Sequence, residues 1–226
     1  MSEPEPIAPD PARAAADGFD FELSGGHLAL DLANTINRRG DPATSSERLI
    51  DFGRLVTWSQ KAGLVTPREA ERLRADATAR PRAAVAALRR AIAVREAIYS
   101  LFEAVAHEQQ TPAAALDTLN AALPDALSSL RVAPDRGGFG WRFTPPPEDL
   151  APMLAPIVRA AAELLTSEER ERVRVCGSDT CFWLFLDRSK NGTRRWCDMK
   201  VCGNREKARR HYRREKKKTS RARRSG

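Results

Sequence analysis

The sequence predicts a mainly α N-terminal domain carrying one small β-hairpin, followed by a small C-terminal module of knuckle, β-hairpin and helix built around clustered cysteines. Three observations predict it. Apolar runs of helical period, several with recognisable caps, succeed one another from Phe19 to about residue 166 and are interrupted once by alternating β-branched and aromatic residues. All four cysteines of the chain, Cys176, Cys181, Cys197 and Cys202, lie in one short stretch near its end. The charge also changes sign along the chain: from Glu171 onward there are 19 Lys+Arg against 6 Asp+Glu, whereas the 226 residues together carry only +8.

Residues 1–18 are rich in proline, alanine and acids without periodicity and read as a disordered leader. They lack a basic start followed by an apolar core, so no signal peptide is expected, and no apolar run approaches the roughly 20 residues of a membrane helix. The expected location is the cytoplasm, with no membrane partner. A mainly helical domain is then read over 19–169. GGHLALDLANTINRRG (25–40) supplies a Gly-Gly entry, a helix-length run and a Gly exit, and 47–63 reads as a second helix stopped by Gly63. Thr66, Pro67 and Glu69 form a capping box at the start of a third, over 66–77. The longest helix spans about 82–108, with Val85, Leu88, Ala91, Ile92, Ile98, Leu101, Phe102 and Val105 as its core stripe. Thr111-Pro112 starts another that runs to about Leu123. LRVAPDRGGFGWRF (130–143) is the hairpin, and a last helix covers about 148–166.

The cysteines read C-x4-C-x15-C-x4-C. Two thiol pairs of short internal spacing, separated by a hairpin-length segment, place four sulfurs around one zinc at about 2.3 Å. Two disulfides are the alternative, which an oxidising compartment would require. With four sulfur ligands no coordination position remains for a water, so one structural Zn2+ is expected rather than a catalytic one. Around the site the order reads as a VRV strand, the Cys176/Cys181 knuckle, a strand over 182–187, a turn at Asn191-Gly192, an RRWC strand and a helix, the plan of a treble-clef finger. The module is assigned to 170–214 and a basic disordered tail to 215–226. So small a finger takes most of its folding free energy from the metal.

The segment from Arg172 to Arg214, with its four cysteines, Phe185, Asp187, Ser189, Arg195, Trp196 and Cys202-Gly203-Asn204-Arg205, closely resembles the CGNR zinc finger. Upstream, GGHLALDLANT (25–35), the Trp58 helix and LRRAIAVREAIYSLF (88–102) are similar to the ABATE domain that accompanies this finger in bacterial proteins described as stress-induced transcription regulators. The resemblance implies a zinc-dependent DNA-binding regulator with duplex DNA as partner.

Asn204 is read as the cap of the finger helix and Gly203 as the bend before it, with Ala208 and Tyr212 facing the hairpin. Arg205 and Arg209 are then assigned to the DNA groove, and Arg194, Arg195, Arg213, Lys216, Lys217 and Lys218 to phosphate. His211 is expected outside the metal site. Trp183 and Trp196 read as small-module core, with base stacking as the alternative. That alternative belongs to a second reading of the whole chain, an RNA- or ribosome-binding zinc protein. Upstream, Asp31, Asn34, Thr35 and Arg38 share one helix face in this reading, and Arg95 interrupts an apolar stripe. Arg95 needs a partner, for which Asp31 is the guess. Asp31, Asn34 and Arg95 alternatively hold a small polar effector, with His27 capping or in the core. The domain is otherwise a candidate for homodimer formation. No Ser/His/Asp or Cys/His arrangement and no phosphate-binding Gly loop is present, so no enzyme activity is expected.

Overall fold

The computed structural model describes residues 20–135, 137–210 and 212. Its centre is the long helix α4 (Pro81–Ala106), against which pack α1 (Leu28–Ala33), α2 (Phe52–Lys61), α3 (Pro67–Ala79), α5 (Ala113–Ser128) and α6 (Leu154–Thr166). Small residues make this packing close: Ala84, Ala87, Ala91 and Ala97 line the buried side of α4 with Val94, Ile98, Leu101 and Phe102, while Val85, expected in the stripe, is 47% exposed. Thr66 and Glu69 form the expected capping box on α3, and Asp51 caps α2 through the amide of Arg54.

Among the described residues three two-stranded antiparallel ladders complete the fold. The first pairs β1 (Ile36–Asn37) with β2 (Ser46–Glu47), and the second is the expected hairpin of β3 (Leu130–Asp135) and β4 (Gly138–Phe143). The third pairs β5 (Val173–Val175) with β6 (Leu184–Leu186). A 3-10 turn (Glu168–Arg172) enters β5. Beyond β6 a wide π-type turn (Met199–Gly203) leads into α7, over 204–210 and including Tyr212.

Several expected elements are corrected. α1 ends at Ala33 rather than running through to Gly40, because Asn34 leaves the helix to serve β6 and Ile36 pairs with Glu47. Asp31, Asn34, Thr35 and Arg38 therefore do not share a helix face. α5 continues through Pro124 to Ser128, as the burial of Leu119 and Ala126 on either side offsets the one hydrogen bond that the proline removes. α6 starts only at Leu154, residues 144–153 forming a connection in which Asp149 accepts from the amide of Ala151. RRWC (194–197) is not a strand; β6 is paired by β5 instead.

The hairpin of the cysteine segment belongs to two cores at once. Val173, Leu184 and Leu186 are fully buried in the main core with the helices, whereas Trp183 and Phe185 pack with the four cysteines in a second cluster. This follows from the period of two in a strand: alternate side chains face opposite sides. The edge of β6 away from β5 is closed without a third strand. The Asn34 side chain accepts from the Leu184 amide and donates to the Leu184 carbonyl, both at 2.8 Å, and the Gly25 carbonyl accepts from the Leu186 amide at 2.8 Å. The Trp183 indole donates to the Ile36 carbonyl at 2.7 Å, and the Tyr99 hydroxyl shares its proton between the Glu103 carboxylate at 3.0 Å and the Phe182 carbonyl at 3.1 Å.

Asn34→Ala leaves a buried donor and acceptor of Leu184 without partners, and at about 1–3 kcal/mol for each such group the expected loss is about 2–6 kcal/mol. Chemical denaturation at fixed zinc checks it; a loss below about 0.5 kcal/mol would remove Asn34 as the closure of β6.

Candidate metal centre and nucleic-acid interface

The metal centre begins with the knuckle. Cys181 donates its amide to the Ser178 carbonyl, closing a tight turn, and the Cys176 amide donates to the Trp183 carbonyl at 2.8 Å, continuing the β5–β6 ladder. The second cysteine pair is carried on a loop fixed from two sides. Asp187, fully buried, accepts from the amides of Ser189 at 2.9 Å and Arg194 at 3.0 Å, folding the turn that contains Gly192. The Gly177 amide donates to the Arg195 carbonyl at 2.9 Å and ties this loop back to the knuckle.

All four cysteines are buried, and their sulfurs lie within 4.8 Å of one another. Cys181 and Cys197 Sγ are 3.6 Å apart, and Cys197 and Cys202 Sγ 3.7 Å. A disulfide requires about 2.05 Å, so the cysteines are free thiols rather than two bridges. A tetrahedron with metal–sulfur bonds of about 2.3 Å has edges of about 3.8 Å, which these separations fit. Hydrogen bonds from Cys181 and its neighbours hold the Cys176 thiol below its ordinary range, while those from Cys176 push the Cys197 thiol up. A cation that binds these sulfurs displaces their protons, because thiolates are the ligands. Cys176, Cys181, Cys197 and Cys202 would hold the ion, and with all four positions filled it supplies cross-linking rather than chemistry.

The cation arrangement differs from the expected one. Arg194 turns inward: its guanidinium lies 4.7 Å from the Phe185 ring centroid, its Nε donates to the Trp196 carbonyl at 2.8 Å and its Nη2 to the Cys197 carbonyl. It braces the ligand loop. Arg195 stacks on Trp196 at 5.5 Å. Arg209 donates to Glu206 at 3.2 Å and to Asp179, while the Ser178 hydroxyl donates to the same Glu206 carboxylate. The knuckle therefore faces Glu206 and Arg209. Ala208 is exposed and Tyr212 is 69% exposed, so the side of α7 expected to pack on the hairpin points outward. Arg205, Lys207 and Arg210 are exposed with it. His211, Arg213, Lys216, Lys217 and Lys218 lie outside the described residues.

Asn204 is not the helix cap: it is already helical and its side-chain amide donates back to the Lys200 carbonyl at 2.9 Å. Asp198 holds that place, accepting from the amides of Lys200 at 2.6 Å and Val201 at 3.0 Å. Its signal was legible, an aspartate immediately before a helical run. Glu206 and Asp179 had none, since their roles depend on which side of α7 meets the knuckle. Trp183 is 4% exposed and lies between the two parts of the chain, which removes it as a base-stacking platform; Trp196 is half-buried against the cysteines.

The upstream polar residues do not converge. Arg95, 2% exposed, makes a bidentate pair with Glu47 at 2.6 and 2.7 Å and donates through Nε to Glu96 at 2.8 Å. Asp31 is not its partner. Instead Asp31 accepts from the Gly25 amide at 2.7 Å, and burial pushes its carboxyl up to about 6. Asn34 is engaged with Leu184, and His27 caps α1 through the Ala29 amide, its ring held below its ordinary pKa by burial.

Two outcomes are expected. Chelation should release one equivalent of zinc and remove near-ultraviolet signal from Trp196. It should leave the far-ultraviolet helical signal largely intact, because three fully buried aliphatic side chains of β5–β6, each worth about 1.5–3 kcal/mol, keep that hairpin in the main core. Global unfolding on chelation would show instead that the metal holds the whole chain. The raised carboxyl of Asp31 means that wild-type stability falls as pH rises from about 3.8 to about 6, since the folded state holds the proton more tightly. Asp31→Asn lacks this loss, so its advantage in denaturation free energy should grow between pH 5 and pH 7 towards a ceiling of about 3 kcal/mol. A constant difference across that range would contradict the assignment.

The family comparisons agree with this geometry. The ABATE family, described as "Putative stress-induced transcription regulator", matches residues 26–168, and the CGNR zinc finger matches 172–215. By these descriptions one is a regulatory family and the other a zinc-finger family. No curated protein matches the sequence. No helix among the described residues is long and apolar enough to cross a membrane. The chain belongs to the ABATE family and carries a CGNR zinc finger on the strand that its helical core encloses.

Proposed function

We propose that the protein is a zinc-dependent transcription regulator that binds duplex DNA through the finger helix and the basic residues around it. One observation carries this reading: four sulfurs at tetrahedral spacing fix the start of α7, and the side of that helix turned away from the knuckle is exposed and basic, with Arg205, Lys207 and Arg210. A helix so held can lie in a major groove, where an arginine fork pairs with guanine and neighbouring cations take phosphates. Arg205 is the groove residue on this reading, and Arg195 and Lys200 are phosphate contacts. Arg194 and Arg209 act as braces that hold the helix and the ligand loop in place.

The helical domain regulates through position. β6 lies in its core, so any ligand or partner that shifts α1 or α4 moves the strand from which the metal loop departs. The RNA-binding alternative draws its main support from stacking tryptophans, and Trp183 is buried.

Binding of the zinc-quantified protein to a pool of random duplexes, at several salt concentrations and after chelation, tests the proposal. Enrichment of one sequence is expected, with log affinity falling by about 0.9 per phosphate contact against log salt, and with enrichment lost on chelation. Binding without enrichment that survives chelation, or tighter binding to structured RNA at equal salt, would overturn it.

A further inference from the structure

A cleft opens beside the metal centre between the two family segments. Glu22, Asn37 and Arg38 line it from the helical domain, Asp198, Val201 and Arg205 from the finger, together with Trp183 and three of the four cysteines. Arg38 stands in a turn that the finger itself holds. The Ile36 carbonyl accepts from the Trp183 indole, and Gly40 lies so close to the Phe182 ring that a Cβ there would come within 1.9 Å of it. Within this turn Arg38 adopts a left-handed backbone, φ 52°, a conformation that costs a non-glycine residue about 1 kcal/mol or more.

Neither the Arg38 nor the Arg205 guanidinium has a hydrogen-bond or ion-pair partner among the described residues, and the nearby carboxylates are engaged elsewhere. Asp198 accepts two amides of the π-type turn. The Asp41 carboxylate accepts from the Thr44 hydroxyl and the Ala43 amide, and the Arg38 side chain acts on it only through space. Glu22 faces Arg48 electrostatically. Two guanidiniums, one from each segment, thus line one solvent-open cleft without a paired carboxylate, the cleft's own acids Glu22 and Asp198 being directed to other groups. A planar fork of this kind binds phosphate oxygens in preference to any other backbone group of a nucleic acid.

We propose that Arg38 is a nucleic-acid contact supplied by the helical domain, gripping with Arg205 one backbone phosphate across this cleft, so that the DNA-binding surface is composite and not confined to the finger. The inference rests on the duplex-binding reading above. It gives the turn of residues 36–40 a function that the finger segment alone does not have: the phosphate would be bound only when the helical domain and the finger are seated on each other.

The test uses the full chain with one zinc equivalent and duplex DNA of fixed sequence. Arg38→Gln should weaken binding about fivefold at 0.15 M salt, equally for cognate and scrambled duplexes, and should reduce the salt slope by about 0.9. Arg38→Gly, which also relieves the left-handed backbone, should lose the same affinity while melting no lower than wild type. Arg89→Gln, which removes an equal charge from the exposed side of α4, should leave the slope unchanged. If wild type binds duplex DNA and Arg38→Gln and Arg38→Gly retain its affinity and slope, or if Arg89→Gln reproduces their loss, the clamp is overturned while the duplex reading stands. If wild type does not bind duplex DNA at all, both fall together.

Discussion

Strand β6 is the constraint on which the rest of the structure depends. Only three residues long, it lies between a helical core and a cysteine cluster, with Leu184 and Leu186 facing one and Trp183 and Phe185 on its other side facing the other. Its inner edge is paired by β5, and its outer edge is closed by Gly25 and by the carboxamide of Asn34, a group that both accepts from and donates to the main chain of one residue, Leu184. That requirement explains the shortness of α1. A helix continuing past Ala33 would carry the Asn34 amide away from Leu184 and leave β6 with buried, unpaired main-chain groups. The turn that follows is held in the same way, with Ile36 receiving the Trp183 indole and Gly40 giving room to Phe182, itself in a left-handed conformation at φ 59°.

The polar network around α4 extends this coupling. Arg95 pairs with Glu47 and Glu96; Glu96 also holds Arg39, whose guanidinium stacks on Tyr99 at 3.9 Å. The Tyr99 hydroxyl then reaches the carbonyl of Phe182 next to a metal-binding cysteine. Burial, together with the neighbouring Glu103 carboxylate, keeps that phenol protonated far above its ordinary range, so it donates at every physiological pH. A continuous set of charged and hydrogen-bonded groups thus leads from the centre of the helical domain to the knuckle. Breaking one member would leave buried charge behind, which makes the network a rigid connection rather than a hinge.

What could be read from the sequence was local in origin. The capping box of Thr66 and Glu69, the hairpin around Gly137, the turn at Gly192 and the grouping of the cysteines all involve residues close along the chain, and each stands where expected. What could not be read depends on partners far away. Glu47 reaches Arg95 only because β1 pairs with β2, and Asn34 finds Leu184 across 150 residues. The orientation of α7 failed for a related reason. Ala208 and Tyr212 are its natural inward residues by hydropathy, but the knuckle offers Ser178 and Asp179, so an acid and an arginine face inward and the tyrosine outward. The independence of the finger was also misjudged, because hydropathy alone does not tell whether a buried strand such as FWLFL is enclosed by its own module or by the neighbouring one.

The division of the arginines into two classes follows from the charge of the metal centre. Four thiolates around a divalent ion leave about two negative charges in a buried site, and cations placed against it lower the energy of both. Arg194 does this from within, crossing Phe185 to reach the carbonyls of Trp196 and Cys197, the second of which is a metal-binding residue. Once its donors are directed to those carbonyls it is poorly placed to follow a polyanion. Arg209, paired with Asp179 and Glu206, is neutralised in the same sense. Among the described cations without a paired carboxylate, Arg205 on the finger and Arg38 on the turn that the finger clamps line the cleft on the open side of the centre. The braces thus determine which charges remain available as well as how the helix sits, and the face left for the proposed phosphate contacts is set by the acids of the knuckle as much as by the basic run itself.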